Sequence, residues 1–219
     1  MGYLAARPRR LAPALRSGRL PIEPLQRLVE ANRRDQVVTR YESWPPLQDY
    51  CSLSATPVGE LVLHVLGAAT PERIALSDAV CTGLQLIEHC QDVAEDRARG
   101  RVYLPATTLA RAGARESDLD ARPAPAPLRA ALAFEVARAR ALLAAAEPLV
   151  ASLPGTARLL VAGFAAGGFA AADALARADY DPSAGAPKPR RRDVLRHVRV
   201  LVWRAWRSPA EPAPSERPA

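Results

Sequence analysis

Four carboxylates fall within nine residues of the segment "QLIEHCQDVAEDRARGRVYLP" (85–105): Glu88, Asp92, Glu95 and Asp96. At about 100° per residue, Gln85, Glu88, His89, Asp92, Asp96 and Arg99 share one narrow helical stripe. Leu86, Val93 and Ala94 point elsewhere. Asp92 and Asp96 stand one turn apart, where two ionised carboxylates repel. A hard cation such as Mg²⁺ removes that repulsion and can bridge to a diphosphate. Arg97, Arg99 and Arg101 would then neutralise the phosphate oxygens left uncovered. A solvated helix end with interleaved acids and arginines would show the same residue types. The exit "RVYLP", with a tyrosine, two aliphatics and a proline, favours a packed stop over a fraying end.

The elements that must hold this stripe are helical throughout. Residues 24–41 predict a helix turning Leu25, Leu28, Val29 and Ala31 inward. Residues 46–67 predict two helices meeting at Thr56-Pro57, because the residue before a proline avoids the helical region. Residues 71–100 predict one long helix between Pro71 and Gly100. A helix over 126–153 is expected to kink at Pro148. Another follows over 156–179, then a loop over 179–192, and a last helix over 193–207. "ESDLD" (116–120) is expected in a loop. No segment alternates as a strand would and no internal repeat is visible, so the chain is expected to be all-α. One domain over 1–207 should be followed by a disordered tail over 208–219, "SPAEPAPSERPA".

Composition narrows the function classes. Thirty basic against 23 acidic residues give a net charge of +7, and Lys188 is the only lysine. That balance suits anionic partners without choosing between phosphates, nucleic acid and an acidic lipid surface. No nucleic-acid motif appears. Cys51, Cys81 and Cys90 form no CxxC pair and fit core fillers in a reducing cytosol. His64, His89 and His197 are too scattered for a zinc site. "MGYLAARPRR" lacks the apolar run of a signal peptide. The apolar stretch 158–176 is broken by Gly163, Gly167 and Gly168, and is expected to be a closely packed helix rather than a membrane span. Segment 187–207 is basic and amphipathic, with Val194, Val198, Leu201 and Ala205 on one face and Trp203 and Trp206 near its end. It suits a helix docked on the bundle, and also peripheral membrane contact.

Three blocks together resemble the squalene/phytoene synthase family. Segment 85–105 is similar to its second aspartate-rich motif through Gln85, Asp92, Asp96, Arg101, Tyr103 and Pro105. "YCSLSATPVG" (50–59) resembles its tyrosine-cysteine signature, and "ANRRDQVVTRY" (31–41) resembles the helix before it. Glu88 and Gln91 replace the usual Asn and Arg. The wording is most similar to the branch of bacterial hydroxysqualene synthases. The resemblance implies an isoprenoid-synthase-type helical bundle. It also implies Mg²⁺-assisted conversion of presqualene diphosphate to hydroxysqualene, with farnesyl diphosphate condensation, or an inactive remnant or partner of the fold, as alternatives. It implies Asp92 and Asp96 as metal ligands, with Glu88 as a supplementary one. Gln85 and Arg101 would contact the diphosphate, Tyr50 would face the reacting group, and Ala55, Val58 and Gly59 would line the prenyl cavity. The family's first aspartate motif has no counterpart here, since Asp35 and Asp49 are too far apart to form it. The chain is therefore expected to be an N-terminally truncated form, from a misassigned start, a fragment or a decayed copy, and to show no conversion by itself.

Overall fold

The computed structural model describes residues 7–207. Eleven α-helices follow in order among them. They are α1 (Arg7–Arg16), α2 (Glu23–Arg34), α3 (Trp44–Ser54), α4 (Thr56–Val65), α5 (Pro71–Gln91) and α6 (Val93–Ala98). After α7 (Ala106–Ala112) and a 3₁₀ turn (Glu116–Asp120) come α8 (Ala126–Leu143), α9 (Ala146–Ser152), α10 (Gly155–Arg177) and α11 (Arg191–Arg207). The fold is all-α, as expected. Among the described residues the sole strand-like feature is a parallel bridge between Arg40 and Val102.

Helix α5 is the axis of the bundle and packs against α3, α4, α8, α9 and α10. It starts where Pro71 presets the first turn and the Thr70 hydroxyl accepts from the Arg73 amide at 3.3 Å. Leu86 and Ile87 on α5 join Leu128, Leu132, Val136 and Leu143 of α8 in a core with almost no solvent exposure. Helix α10 contributes Ala162, Ala165, Ala166, Ala170 and Ala172, whose small side chains let backbones approach closely. Its sequence is long and apolar enough to cross a membrane, with mean hydropathy 1.7, yet 56% of that window is buried inside the protein. At the α4–α5 crossing a Cβ on Gly59 would lie 2.3 Å from Ser77 Oγ and 2.5 Å from Cys81 Sγ. A side chain there would require Ser77 and Cys81 to turn away.

Several boundaries differ from expectation, each for a local reason. Helix α2 stops at Arg34, and residues 35–41 run on irregularly to a buried Tyr41. Ala31 is buried, Leu25 and Leu28 are half-buried, and Val29 is exposed. Leu25 and Val29 look into an open groove of about 740 Å³ beside Leu11 and Leu15 rather than into the core. The long helix over 71–100 breaks at Asp92, whose φ of −97° and ψ of 14° end α5 before α6 restarts. The expected kink lies at Ala144–Ala145 and not at Pro148 itself. A proline ring clashes with the carbonyl four residues earlier, which is that of Ala144. Residues 116–120 form a 3₁₀ turn instead of an open loop, and α1 and α7 were not anticipated. The expected disorder over 208–219 lies outside the described residues.

Candidate active site

Asp92 closes α5 and Asp96 sits on α6, but the Asp96 amide still donates to the Asp92 carbonyl at 2.8 Å. The two side chains therefore keep the one-turn spacing despite the helix break. Just beyond, the Gly100 amide donates to Arg97 O at 3.0 Å and the Arg101 amide to Asp96 O at 2.9 Å. This is a Schellman turn. Gly100 supplies its left-handed residue, with φ of 79°. The turn reverses the chain, so that Arg101 and Tyr103 line one small crevice with Asp96 and His89.

The returning strand is pinned to the segment after α2. Val102 donates to Thr39 O at 2.9 Å, Ala106 to Tyr41 O at 2.9 Å and Thr107 to Glu42 O at 3.0 Å. This pairing makes Asp35 a hub. The Tyr50 hydroxyl donates to Asp35 Oδ2 at 2.9 Å and the Tyr103 hydroxyl to Asp35 Oδ1 at 3.0 Å. Arg101 Nη2 donates to the Asp35 carbonyl at 3.2 Å. Burial above all raises both the Tyr50 and the Tyr103 hydroxyl above the ordinary phenol range. Their protons therefore stay on at any working pH. His89 stacks on Tyr103 with ring centres 4.0 Å apart, and burial depresses it to about 3, so the imidazole is neutral. Tyr41, Tyr50, Tyr103 and His89 thus form a neutral aromatic floor.

Above the floor the charge is negative. Burial first, then the Asp92 charge, pushes the Asp96 carboxyl up to about 6. Asp92 is raised by burial and then by Glu95. Glu88 is exposed as a residue, yet partial desolvation of its carboxyl, followed by Asp92, raises it too. Among the described residues none of the three is in an ion pair, whereas Glu95 pairs with Arg99 at 2.6 Å. Gln85 lies on the same stripe with its amide nitrogen 3.5 Å from His89 Nε2. Among the described residues no three His, Cys, Asp or Glu side chains converge as a closed metal centre. The donor set nonetheless fits a hard divalent cation. It offers two carboxylates with no ion-pair partner among the described residues, only the weaker pull of Arg99 and, at Asp96, of Arg101. Mg²⁺ is commonly held by one or two carboxylates, waters and substrate phosphates.

The structure brings Asp92, Asp96, Glu88, Gln85, Arg101 and Tyr50 to one end of α5. Val58 and Gly59 instead line an apolar cavity of about 110 Å³ with Cys81, Leu84 and Phe164. That is well below the roughly 300 Å³ at which ligand pockets usually begin. Ala55 is not part of that lining, because it is buried at the junction of α3 and α4. The Tyr50 hydroxyl is engaged by Asp35 rather than open to solvent. The residue that sequence reasoning missed is Asp35. It sits in "ANRRDQVVTRY", and its partners Tyr50 and Tyr103 are remote in sequence. Arg97 was expected to serve phosphate, yet it is committed to Glu116 at 2.6 Å and Asp120 at 2.7 Å.

Comparison with known proteins bears on this arrangement. The family model for squalene/phytoene synthase matches residues 5–206. The chain belongs to that family. Within it, a hydroxysqualene synthase of Zymomonas mobilis is 42% identical over 117 residues, which are 53% of this chain and 39% of that protein. A hydroxysqualene synthase of Rhodopseudomonas palustris is 40% identical over 127 residues, which are 58% of this chain and 43% of that protein. The chain thus matches well under half the length of these curated relatives. The crystal structure of squalene synthase HpnC from Alicyclobacillus acidocaldarius superimposes with a TM-score of 0.76 at 42% identity. That match covers 80% of this chain and 66% of that one. The family fold generally uses a divalent metal to process prenyl diphosphates.

Proposed function

We propose that this chain carries the diphosphate-binding half of a hydroxysqualene synthase-type site, acting on presqualene diphosphate in the cytoplasm. The observation that carries it is the pair of carboxylates raised by burial and mutual charge, Asp92 and Asp96, with Asp96 sharing a crevice with Arg101, Tyr103 and His89 of the floor. The roughly two-fifths identity to hydroxysqualene synthases supports the choice of branch.

The chemistry assigned to each residue follows from its surroundings. Bound Mg²⁺ would supply a Lewis acid that stabilises the departing diphosphate. Asp92 and Asp96 would hold it, with Glu88 alongside. Arg101, which shares a crevice with Asp96, and Arg99 are the cationic donors for the leaving oxygens. Gln85 supplies an uncharged amide on the same stripe. When the carbon–oxygen bond breaks, the electron pair leaves with the diphosphate. The cyclopropylcarbinyl cation rearranges, and water adds to it with loss of a proton, giving hydroxysqualene. Such a cation survives only where water is rationed. Tyr50 and Tyr103 favour that outcome, because their hydroxyl protons are held by Asp35 and neither phenol offers a ready base.

The test has two parts. Calorimetry should show binding of inorganic pyrophosphate only with Mg²⁺ present, and this should vanish in the Asp92→Asn/Asp96→Asn double variant. Product analysis should then be run on this chain and on the reading frame extended upstream, with presqualene diphosphate and farnesyl diphosphate. Hydroxysqualene from presqualene diphosphate supports the proposal. Coupling of farnesyl diphosphate with no hydroxysqualene would favour the condensation reaction, and absence of Mg²⁺-dependent binding would favour an inactive relative.

A further inference from the structure

Helix α11 presents two faces of opposite character. Its inner face is fixed to the bundle. Leu201 and Ala205 are buried, Asp193 pairs with Arg177 at 2.8 Å, His197 lies 2.8 Å from Asp173, and Arg204 pairs with Glu147 at 2.8 Å. On its outer face only Arg196 has such a partner among the described residues, reaching Asp173 at 2.6 Å. At about 100° per residue, Leu195, Trp206, Arg199, Arg192, Trp203, Arg196 and Arg207 fall on the side opposite Leu201. All seven are exposed, with Trp206 at 72% and Leu195 at 63%. Among the described residues Arg192, Arg199 and Arg207 are in no ion pair, while Arg207 lies over the Trp203 ring at 4.3 Å. Beside them, Leu159 of α10, Val198, Val202, Trp203 and Trp206 line an open apolar groove of about 560 Å³.

We infer that this outer face of α11, continued by Leu159, is a docking surface for an anionic lipid bilayer. Tryptophan favours the level of the headgroups, where its ring is in an apolar region and its N–H stays wet. Arginine lays its stem along apolar surface and keeps its guanidinium among phosphates. Residues 190–207 contain seven arginines and a single acid, Asp193, which faces inward. That charge complements an anionic surface. It argues against a second copy on the same face, because the two arginine sets would repel. The small exposed aromatic and aliphatic cluster also distinguishes it from a purely cationic nucleic-acid patch.

Co-sedimentation of the whole chain with vesicles tests this. Binding should be strong to phosphatidylcholine containing phosphatidylglycerol, weak to phosphatidylcholine alone, and should fall with added salt. Tryptophan emission should shift to the blue on binding. Arg192→Gln with Arg199→Gln should weaken binding by about 25-fold, since each surface cation contributes about fivefold. Trp203→Ser with Trp206→Ser should abolish the blue shift. Both variants should keep the wild-type melting curve, because these side chains are exposed. Equal binding to both vesicles, binding unaffected by either variant, concentration-dependent dimerisation through this face, or retention on DNA without vesicle binding would each overturn the inference.

Discussion

Two acid–arginine clusters meet around α6, built from the same residue types and with opposite electrostatics. In one, Glu116 takes hydrogen bonds from Arg40 and Arg97, and Asp120 takes two from Arg97. The Arg40 bond holds Glu116, and the Arg97 bonds hold Asp120, below the usual carboxylate range. In the other, Asp92 and Asp96 have no cationic partner within ion-pair distance among the described residues, and Asp96 is pushed up to about 6. The first cluster is satisfied, and its work is to hold the 3₁₀ turn against α6. The second is only partly answered, by Arg99 and, at Asp96, by Arg101, and burial outweighs them. Counting acids and arginines along the chain cannot separate them, because the distinction lies in which arginine reaches which acid across 19 to 76 residues of sequence.

That contrast can be broken most sharply at the unsatisfied pair. Asp92→Asn or Asp96→Asn should weaken Mg²⁺-dependent pyrophosphate binding by at least about 100-fold, since even outer-shell changes at metal sites reach that size. A loss of less than about threefold by calorimetry would place the cation elsewhere. Next in size is the neutral floor. His89 is held down to about 3, so between pH 3 and 6.5 the unfolded chain binds the extra proton. Stability is therefore complete above about pH 6.5 and falls as the pH drops, by up to about 1.4 kcal/mol per unit. His89→Phe, which keeps the stack on Tyr103, should remove this acid sensitivity. Urea titrations at pH 7 and pH 5 should show the wild type losing about 2 kcal/mol more than the variant.

Tyr50→Phe should lower turnover of the active form by about tenfold with little change in apparent substrate affinity, because it strips Asp35 Oδ2 of its donor and loosens the floor of a site in which charge must separate. A change confined to affinity would reduce Tyr50 to a wall residue. The smallest effect belongs to the satisfied cluster. Glu116→Gln should leave pyrophosphate binding unchanged and shift the melting temperature by less than about 3 °C, as exposed ion pairs contribute little. If Glu116→Gln cost as much binding as Asp96→Asn, the two clusters would be one site.

Much of the bundle was legible because apolar spacing reports which side of a helix is buried. Helices α3, α4, α5, α8, α10 and α11 all begin close to where periodicity, proline and glycine placed them. The break at Asp92 was not legible, since nothing in "CQDVAED" forbids helix locally. Val29 misled because an apolar residue facing an open groove has the same spacing as one facing a core. In the site, Asp92 and Asp96 were legible because their separation is local. Asp35 was not, because its partners Tyr50 and Tyr103 lie 15 and 68 residues away. His89 was read as part of a polar stripe, but stacking on Tyr103 makes it part of the floor.

The three amides that tie the segment after Arg101 to Thr39, Tyr41 and Glu42 have a kinetic consequence. They are the only ladder-like bonds among the described residues that join those two stretches. Opening them separates Asp35 from Tyr103 without unfolding the bundle. Their hydrogen–deuterium exchange is therefore a substrate-free clock for assembly of the site, and can run faster than exchange in α5 and α8. A diphosphate held above the floor should slow the Val102 amide while leaving the core helices unchanged. The integrity of this site can thus be followed at one backbone position in a protein that is turning nothing over.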